Sequence, residues 1–237
     1  LGQPLHAFDY DKIGGEEVIV RLAEKGEKIR TLDDAERKLD SADLVIADSK
    51  NAMCIAGVLG SGDYGVSNST TKVLIESAFF NPVSIRKSAK RHGLSTDASF
   101  RFERNVDPNL VEEAANRVAQ LIIDWAGGEV FGAENLASND IVAGSNVDLE
   151  WEMMDRVIGA KLDRNRVESI LNSLNIEIAS SDEKRAKLNV PAYRSDVTRP
   201  ADVIEEILRI HGFDQIEIPT RISSTLEIPQ RPDKEDL

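Results

Sequence analysis

Short runs of alternating or continuous apolar residues dominate the first half of the chain and predict a β-rich region. Runs of this length, separated by glycine and proline, are typical of strands that bury one or both faces. The last run ends at a single carboxylate, Glu76, where a buried strand would deliver it to a pocket. The predicted strands cover residues 17–23, 28–32, 44–47, 52–59 and 73–75.

Helical spacing and helix punctuation occur between and after these strands. Pro82 suits the first turn of a helix and Gly93 is placed to end it. Asp107 and Pro108 cap a long amphipathic helix that ends at Gly127. The elements predicted beyond it are strands at 129–131 and 147–151, helices at 152–158 and 165–174, a β segment ending at Val190 and a helix at 200–210.

The polar stretch at residues 138–146, which contains glycine and serine, predicts a domain boundary. We therefore expect two domains, at 1–140 and 146–220. Residues 221–237 carry prolines and charges with little to bury, which predicts a linker or tail. The fold class predicted for both domains is α+β.

Composition narrows the class of protein. The 237 residues are 41% hydrophobic and 30% charged, as in soluble globular proteins, and no apolar run approaches the ~20 residues of a membrane span. We expect no membrane association. The single cysteine, Cys54, excludes an internal disulfide and fits a reducing compartment, so we expect a cytoplasmic location.

Charge argues against a nonspecific nucleic-acid binder, because the formal net charge is −13 and affinity for phosphates requires clustered Lys and Arg. One stretch, residues 84–104, is locally basic. It is either a solvated helix face or a surface that receives RNA phosphates. Its charged residues are Arg86, Lys87, Lys90, Arg91, Arg101 and Arg104, against Asp97 and Glu103.

A glycine-rich loop, residues 60–65, has the spacing GxGxxG after a predicted strand. In a dinucleotide site a helix N-terminus must follow to face the pyrophosphate. The residues that follow are polar and then strand-like, so we exclude a nucleotide site and expect no bound nucleotide. The glycines predict a turn that brings backbone N–H groups to a pocket wall.

A second polar segment, residues 94–99, has short hydroxyl and carboxyl side chains that compete with regular structure, and it predicts a binding loop. With His6, Gly60 and Glu76 it forms the first candidate site. Structural alternatives remain for each residue: a structural histidine for His6, an ion pair for Glu76, and helix or turn caps for Thr96 and Asp97.

The second candidate site is acidic. Asp202, Glu205 and Glu206 have i, i+3, i+4 spacing on one side of the last predicted helix, and Asp196 precedes it. Such carboxylates repel each other unless a cation or a basic partner joins them, although the helix dipole alone favours Asp202. Oxygen ligands suit Mg²⁺ better than zinc.

Three segments carry a family resemblance. LGQPLHAFD and VLIESAFFNPVSIRKSAKRHGLSTDASFRFERNVDP resemble the editing (B3/B4) domain of bacterial-type phenylalanyl-tRNA synthetase beta subunits, and NVPAYRSDVTRPADVIEEILRIHGFDQI resembles the B5 domain that follows it. The resemblance spans nearly the whole chain. It implies a first domain truncated at its N-terminus and a second domain with helices packed on a short sheet.

The resemblance also implies a function, hydrolysis of mischarged tyrosyl-tRNA(Phe), with ligation left to the alpha subunit. An apolar pocket excludes the extra hydroxyl of tyrosine only modestly, so a second site that selects for it is useful. The family's pocket positions fall on His6 and Thr96, candidates to position water or the ribose, and on residues that would bind the substrate. The candidates for binding the substrate are Gly60, Glu76 and Ala98, together with Asp97, which lies between Thr96 and Ala98 in the sequence.

The implied partners are tRNA(Phe) and the alpha subunit in a heterotetramer. The resemblance places at Asp196, Asp202, Glu205 and Glu206 a magnesium site shared with that subunit and incomplete without it. The alternative is a noncatalytic tRNA-docking and subunit-interface module in which Glu76 is structural.

Overall fold

Residues 1–131 and 143–217 are described by the structure, a computed structural model, and they divide into two units. The first unit comprises the residues up to Ser145 together with Pro191–Ser195, and the second comprises Asn146–Val190 and the residues from Asp196 onward. No helix in the described ranges has both the length and the apolar character needed to cross a membrane. Most of the predicted boundary and all of the tail at 221–237 lie outside the described residues.

Eight strands build the sheets of the first unit. The central sheet has the order β2-β5-β6-β7 with antiparallel pairing, and β1 pairs with β8 while β3 pairs with β4. The strand predicted at 52–59 is divided by a turn into two hairpin strands. The strands are β1 (Leu5–Asp9), β2 (Ile19–Leu22), β3 (Lys28–Arg30), β4 (Glu36–Lys38), β5 (Leu44–Ala47), β6 (Ala52–Ile55), β7 (Leu59–Gly60) and β8 (Val73–Ser77).

Three α-helices follow β8, and their ends are set by local chemistry. They are α1 (Pro82–His92), α2 (Asp97–Phe102) and α3 (Val111–Ala126). The Asn81 side chain accepts hydrogen bonds from the first free N–H groups of α1, and Gly93 ends that helix with φ 63°, as predicted. The strand predicted at 129–131 is wrong: these residues are exposed, and none of them pairs with a strand in the described parts of the chain.

The core of the first unit packs α1 and α2 against the central sheet. Gly57, with φ 67°, lies in the turn between β6 and β7. A Cβ atom there would approach Ile85 and Phe80 to 2.9 Å and Phe102 to 3.1 Å. The turn that leads to Gly60 is therefore held closely against the helices.

The second unit is a three-stranded sheet with helices packed on it. Alternate residues of its strands are buried, as expected when one face of a sheet is covered. The sheet order is β10-β11-β9, and the predicted α+β class is confirmed. The elements are β9 (Ser145–Glu150), α4 (Trp151–Ile158), α5 (Arg164–Ser173), β10 (Glu177–Ser181), β11 (Arg185–Val190) and α6 (Pro200–His211).

Candidate functional site

The pairing of β1 with β8 brings His6 and Glu76 together from distant parts of the chain. The two residues are directly opposed in this antiparallel pair, and side chains of opposed residues project from the same face. Phe8, two residues further along β1, contacts the His6 ring edge-on with 4.5 Å between ring centroids. The strand pair thus presents an imidazole and a carboxylate beside an aromatic wall.

Gly60 lies against the His6 ring. A Cβ atom at position 60 would stand 2.6 Å from Cε1 and 2.8 Å from Nε2 of His6, well inside van der Waals contact. Glycine is therefore required here by the close approach of the ring. Gly60 is also opposed to Cys54 across the β6–β7 pair, so the central sheet meets the β1–β8 pair at this point.

Cys54 contacts Glu76, with its Sγ 3.9 Å from Oε2 of the carboxyl. Burial raises the pKa of Glu76 to about 7, and the hydrogen bond from Cys54 acts in the opposite direction. Burial also raises the pKa of the Cys54 thiol well above its usual value, so Cys54 stays a neutral donor at pH 7. Glu76 is largely enclosed by protein but keeps some accessible surface.

The Nε2 atom of His6 is buried and has no hydrogen-bond partner within the described residues. Buried polar atoms are rarely left unpaired in native proteins, so an unpaired one marks a place for a ligand or a water molecule. Burial lowers the pKa of His6 below its usual 6.5. The imidazole is therefore neutral at pH 7, and its Nε2 accepts a hydrogen bond when the proton is on Nδ1.

The segment predicted as a binding loop, residues 94–99, is irregular up to Thr96 and helical from Asp97 onward. Thr96 is the N-cap of α2: its Oγ1 accepts from the backbone N–H of Ser99, and the Ser99 hydroxyl accepts from the N–H of Thr96. The loop prediction is right for residues 94–96 and wrong for 97–99, because this reciprocal cap makes the polar side chains there start a helix. The Thr96 hydroxyl also donates to the Val58 carbonyl at 2.7 Å, which ties α2 to the turn before Gly60.

The remaining candidates of this segment differ in exposure. Asp97 is exposed in the first turn of α2, and Ala98 is half-buried against the core. Two surface cavities of about 420 Å³ each lie near Phe100 and near Tyr64. Neither is lined by any of the predicted pocket residues, so the candidate site is a set of buried polar groups and not one of these open cavities.

The acidic candidate site is arranged differently. Asp202 accepts hydrogen bonds from the backbone N–H groups of Thr198 and Arg199, and the Arg199 guanidinium lies 2.7 Å from its Oδ1. The hydrogen bond from the Arg199 side chain, followed by that from Thr198, lowers the pKa of Asp202 to about 2. Arg209 pairs with Glu206 at 2.6 Å.

The other two acidic candidates, Asp196 and Glu205, are exposed. Within residues 1–131 and 143–217, no group of three or more His, Cys, Asp or Glu side chains is arranged to hold a metal ion. In this chain Asp202 and Glu206 are paired with Arg199 and Arg209. The magnesium assignment stays a prediction.

Sequence reasoning brought His6, Gly60 and Glu76 into one group, and the structure places them together. It missed Cys54, which was noted only as the single cysteine of an apolar run. No local signal could have assigned it, because its contact with Glu76 depends on how two separate sheets meet.

Two protein-family models match two separate parts of the chain. A model of the B3/4 domain matches residues 1–127, and a model of the tRNA synthetase B5 domain matches residues 147–213. A solved structure, an N-terminal fragment of the phenylalanyl-tRNA synthetase beta subunit from Pyrococcus horikoshii, is 18% identical with a TM-score of 0.46 and covers 87% of this chain and 59% of its own.

Curated relatives align along nearly all of the chain. The phenylalanine–tRNA ligase beta subunit of Bacteroides thetaiotaomicron is 44% identical over 234 residues, 99% of this chain and 28% of the relative. That of Porphyromonas gingivalis is 46% identical over 227 residues, 95% of this chain and again 28% of the relative. The chain thus spans just over a quarter of the length of these relatives. It belongs to the family of phenylalanine–tRNA ligase beta subunits, of which it carries B3/4 and B5 domains.

Proposed function

We propose that the first unit hydrolyses the ester of tyrosine mischarged onto tRNA(Phe), in support of phenylalanine aminoacylation. The observation that carries this proposal is that the enclosed Glu76 carboxyl lies opposite His6, whose Nε2 has no hydrogen-bond partner within the described residues. The His6 ring also lies so close to Gly60 that no side chain fits there. Structural carboxylates are usually satisfied by arginine or backbone N–H groups. Among the described residues, Glu76 accepts a hydrogen bond only from the weak Cys54 thiol, at 3.9 Å.

Selection for tyrosine follows from the state of Glu76. A phenol hydroxyl donates well to a carboxylate, so tyrosine supplies the partner that the enclosed group lacks. Phenylalanine would remove water from Glu76 without replacing its hydrogen bond, which costs about 1–3 kcal/mol. That difference corresponds to a preference of roughly 5- to 150-fold for tyrosine.

Hydrolysis requires a water molecule at the ester carbonyl. Water adds to the carbonyl carbon, the bond to the ribose oxygen breaks, and that oxygen takes a proton to leave free tyrosine and tRNA. Neutral His6 can hold the water through Nε2, the atom without a partner. The Thr96 hydroxyl is already donated to Val58, so Thr96 acts by fixing α2 beside the site and not by contacting the water.

The partners proposed for the whole protein are tRNA(Phe) and an alpha subunit in a heterotetramer, where ligation occurs. Magnesium at Asp196, Asp202, Glu205 and Glu206 would require that subunit and the release of two carboxylates from Arg199 and Arg209. The competing hypothesis, a noncatalytic tRNA-docking and subunit-interface module, predicts that Glu76 affects folding alone.

The test compares L-tyrosine with L-phenylalanine in NMR titrations of the 15N-labelled chain, together with deacylation of tyrosyl-tRNA(Phe). We expect tyrosine-selective shifts at the amides of Gly60, Cys54 and Glu76. Glu76→Ala should abolish both the selectivity and the deacylation. Glu113→Gln, at an exposed position of α3, is the control and should change neither.

Two outcomes contradict the proposal. Equal shifts with both amino acids would mean that Glu76 does not read the hydroxyl. Normal deacylation by a folded Glu76→Ala chain would favour the docking module.

A further inference from the structure

The outer face of α1 is basic and free of acids. Arg86, Lys87 and Lys90 are exposed and follow the i, i+1, i+4 spacing of one helix face. None of them forms an ion pair within the described residues. The helix contains no Asp or Glu at all, in a chain that has 42 of them.

Some exposed cations of the same unit have acidic neighbours, whereas Lys25, Lys38 and Lys50 form no ion pair within the described residues. Lys28 pairs with Glu36, Arg30 with Asp63 and Lys72 with Asp11. Those three unpaired lysines lie on separate segments, whereas Arg86, Lys87 and Lys90 lie together on one helix. The outer face of α1 instead presents three uncompensated positive charges, which suits an anionic partner.

The inner face of α1 holds the helix in a fixed position. The fully buried Asp43 accepts hydrogen bonds from Ser88 at 2.8 Å, from Arg91 and from His92 at 2.8 Å. Arg91 is thereby withdrawn from the outer face. Because these hydrogen bonds fix the inner face of the helix, the backbone that carries the outer cations is already ordered. Binding of a partner therefore costs less conformational entropy.

The adjoining helix α2 adds an aromatic side chain. Phe100 is 54% exposed, and the Arg104 guanidinium stacks on its ring at 3.7 Å from the centroid. An exposed ring beside cations is suited to stacking an unpaired base. An acidic protein surface offers no base for this ring to stack on. The combination of exposed cations and an exposed ring therefore favours RNA as the anionic partner.

We propose that Arg86, Lys87 and Lys90 of α1, together with Phe100 of α2, form a surface that binds the single-stranded 3′ end of an RNA. We call it the α1–α2 RNA surface. The cations contact phosphates and Phe100 stacks a base. This inference rests on the proposed function, because α2 begins at Thr96, whose hydroxyl is bonded to the turn before Gly60. This hydrogen bond joins α2 to the segment that carries Gly60.

The test measures binding of the 237-residue chain to a fluorescein-labelled RNA hairpin with a single-stranded ACCA 3′ end, by fluorescence anisotropy at several salt concentrations. The triple variant Arg86→Gln, Lys87→Gln, Lys90→Gln should weaken binding at low salt by about tenfold or more. The slope of log K against log salt should fall by about 2, since each lost phosphate contact on a single strand removes roughly 0.7.

The control triple is Lys25→Gln, Lys38→Gln, Lys50→Gln, which removes the same charge from exposed positions of the same unit. At about 0.15 M salt its affinity should stay within about twofold of the wild type, since exposed charges farther than a Debye length from the RNA are largely screened. Equal weakening by both triples would show only a general charge effect and would overturn the proposal.

The role of Phe100 is tested with Phe100→Leu, which keeps apolar bulk but removes the ring. Binding of the hairpin with the single-stranded end should weaken by about fivefold or more, and binding of a blunt hairpin should not change. Equal binding of the two hairpins by the wild type would contradict base stacking. Competition by polyglutamate as strong as that by RNA would assign the surface to an acidic protein and overturn the RNA proposal.

Failure here is separable from failure of the proposed function. The triple variant at α1 should keep tyrosine-selective NMR shifts, because its residues lie outside the His6 and Glu76 site. If those shifts persist and RNA binding is unchanged, the surface proposal fails alone. If RNA binding follows the expectation but tyrosine selectivity is missing in the wild type, the proposed function fails instead.

Discussion

The two candidate sites of this chain contain the same kind of side chain in opposite circumstances. In the first unit Glu76 is enclosed, its pKa is raised to about 7 by burial, and its neighbour His6 has an unpaired Nε2. In the second unit Asp202 is paired with Arg199 and capped by backbone N–H groups, which lower its pKa to about 2. One carboxyl lacks a strong partner and the other has several.

This difference shows how a structural carboxylate is distinguished from a functional one. A well-paired acid on a helix first turn stabilises the helix end, and the chain gains nothing further from a ligand there. An enclosed acid with a single weak donor destabilises the unit by itself, and a ligand that supplies the missing hydrogen bond recovers that free energy. The sequence shows acids at both places and cannot tell them apart.

The largest expected effect concerns the pH dependence of stability. Because the folded pKa of Glu76, about 7, exceeds its ordinary 4.5, the folded state binds more protons than the unfolded state between these values. The free energy of unfolding should therefore fall as pH rises from about 4.5 to 7, by roughly 3 kcal/mol from this group. Glu76→Gln should remove that fall in urea denaturation measured across this range.

His6 acts in the opposite direction, since its lowered pKa makes the folded state gain stability as pH rises toward 6.5. The informative quantity is thus the difference between wild type and Glu76→Gln at each pH, with Glu113→Gln as the exposed control. A constant difference across the range would show that Glu76 is paired and would remove the contrast between the two sites.

Gly60→Ala is expected to have the next largest effect. Its Cβ would stand 2.6 Å from the His6 ring, so the ring must move, and overpacking of this kind costs about 1–3 kcal/mol. Thermal unfolding and the L-tyrosine titration should both be affected. Gly62→Ala in the same loop is the matched control, since its Cβ would be 3.6 Å from the nearest atom. A similar loss of stability in Gly62→Ala would show that the contact with His6 is not the cause.

Thr96→Ala should cost about 1 kcal/mol of stability, the usual cost of losing an N-cap. Thr96→Ser keeps the hydroxyl that bonds Ser99 and Val58 and should restore most of it. In both variants tyrosine binding should change less than in Gly60→Ala. Loss of deacylation in a Thr96→Ala chain that stays folded and keeps tyrosine selectivity, with recovery in Thr96→Ser, would instead give the Thr96 hydroxyl a direct part in the reaction.

The smallest effect is expected at the acidic site. With Arg199 and Arg209 in place, millimolar MgCl₂ should leave the amide shifts of α6 nearly unchanged. The double variant Arg199→Gln, Arg209→Gln frees Asp202 and Glu206 and should respond more strongly to Mg²⁺. Saturable shifts in the wild type at low millimolar Mg²⁺ would show that the arginines do not compete, and the two sites would then differ less than the structure indicates.

Local patterns predicted much of the fold. Gly93 ends α1 in the left-handed region and Pro82 lies in its first turn, both as predicted. Such features depend on one residue and its neighbours, so the sequence is enough to infer them. Two predictions failed, the loop over residues 97–99 and the strand at 129–131. The structure of the first segment depends on a reciprocal cap, and a strand in the second would require a pairing partner.

What the sequence by itself determined is the α+β class, most helix ends and the family, because these follow from residue type and spacing along the chain. The tertiary structure alone decided that Cys54 meets Glu76, that the His6 ring covers Gly60 and that arginines hold Asp202 and Glu206. The physical reason is that burial and pairing are properties of the surroundings of a side chain. Those surroundings come from strands that are distant in sequence and adjacent only after folding.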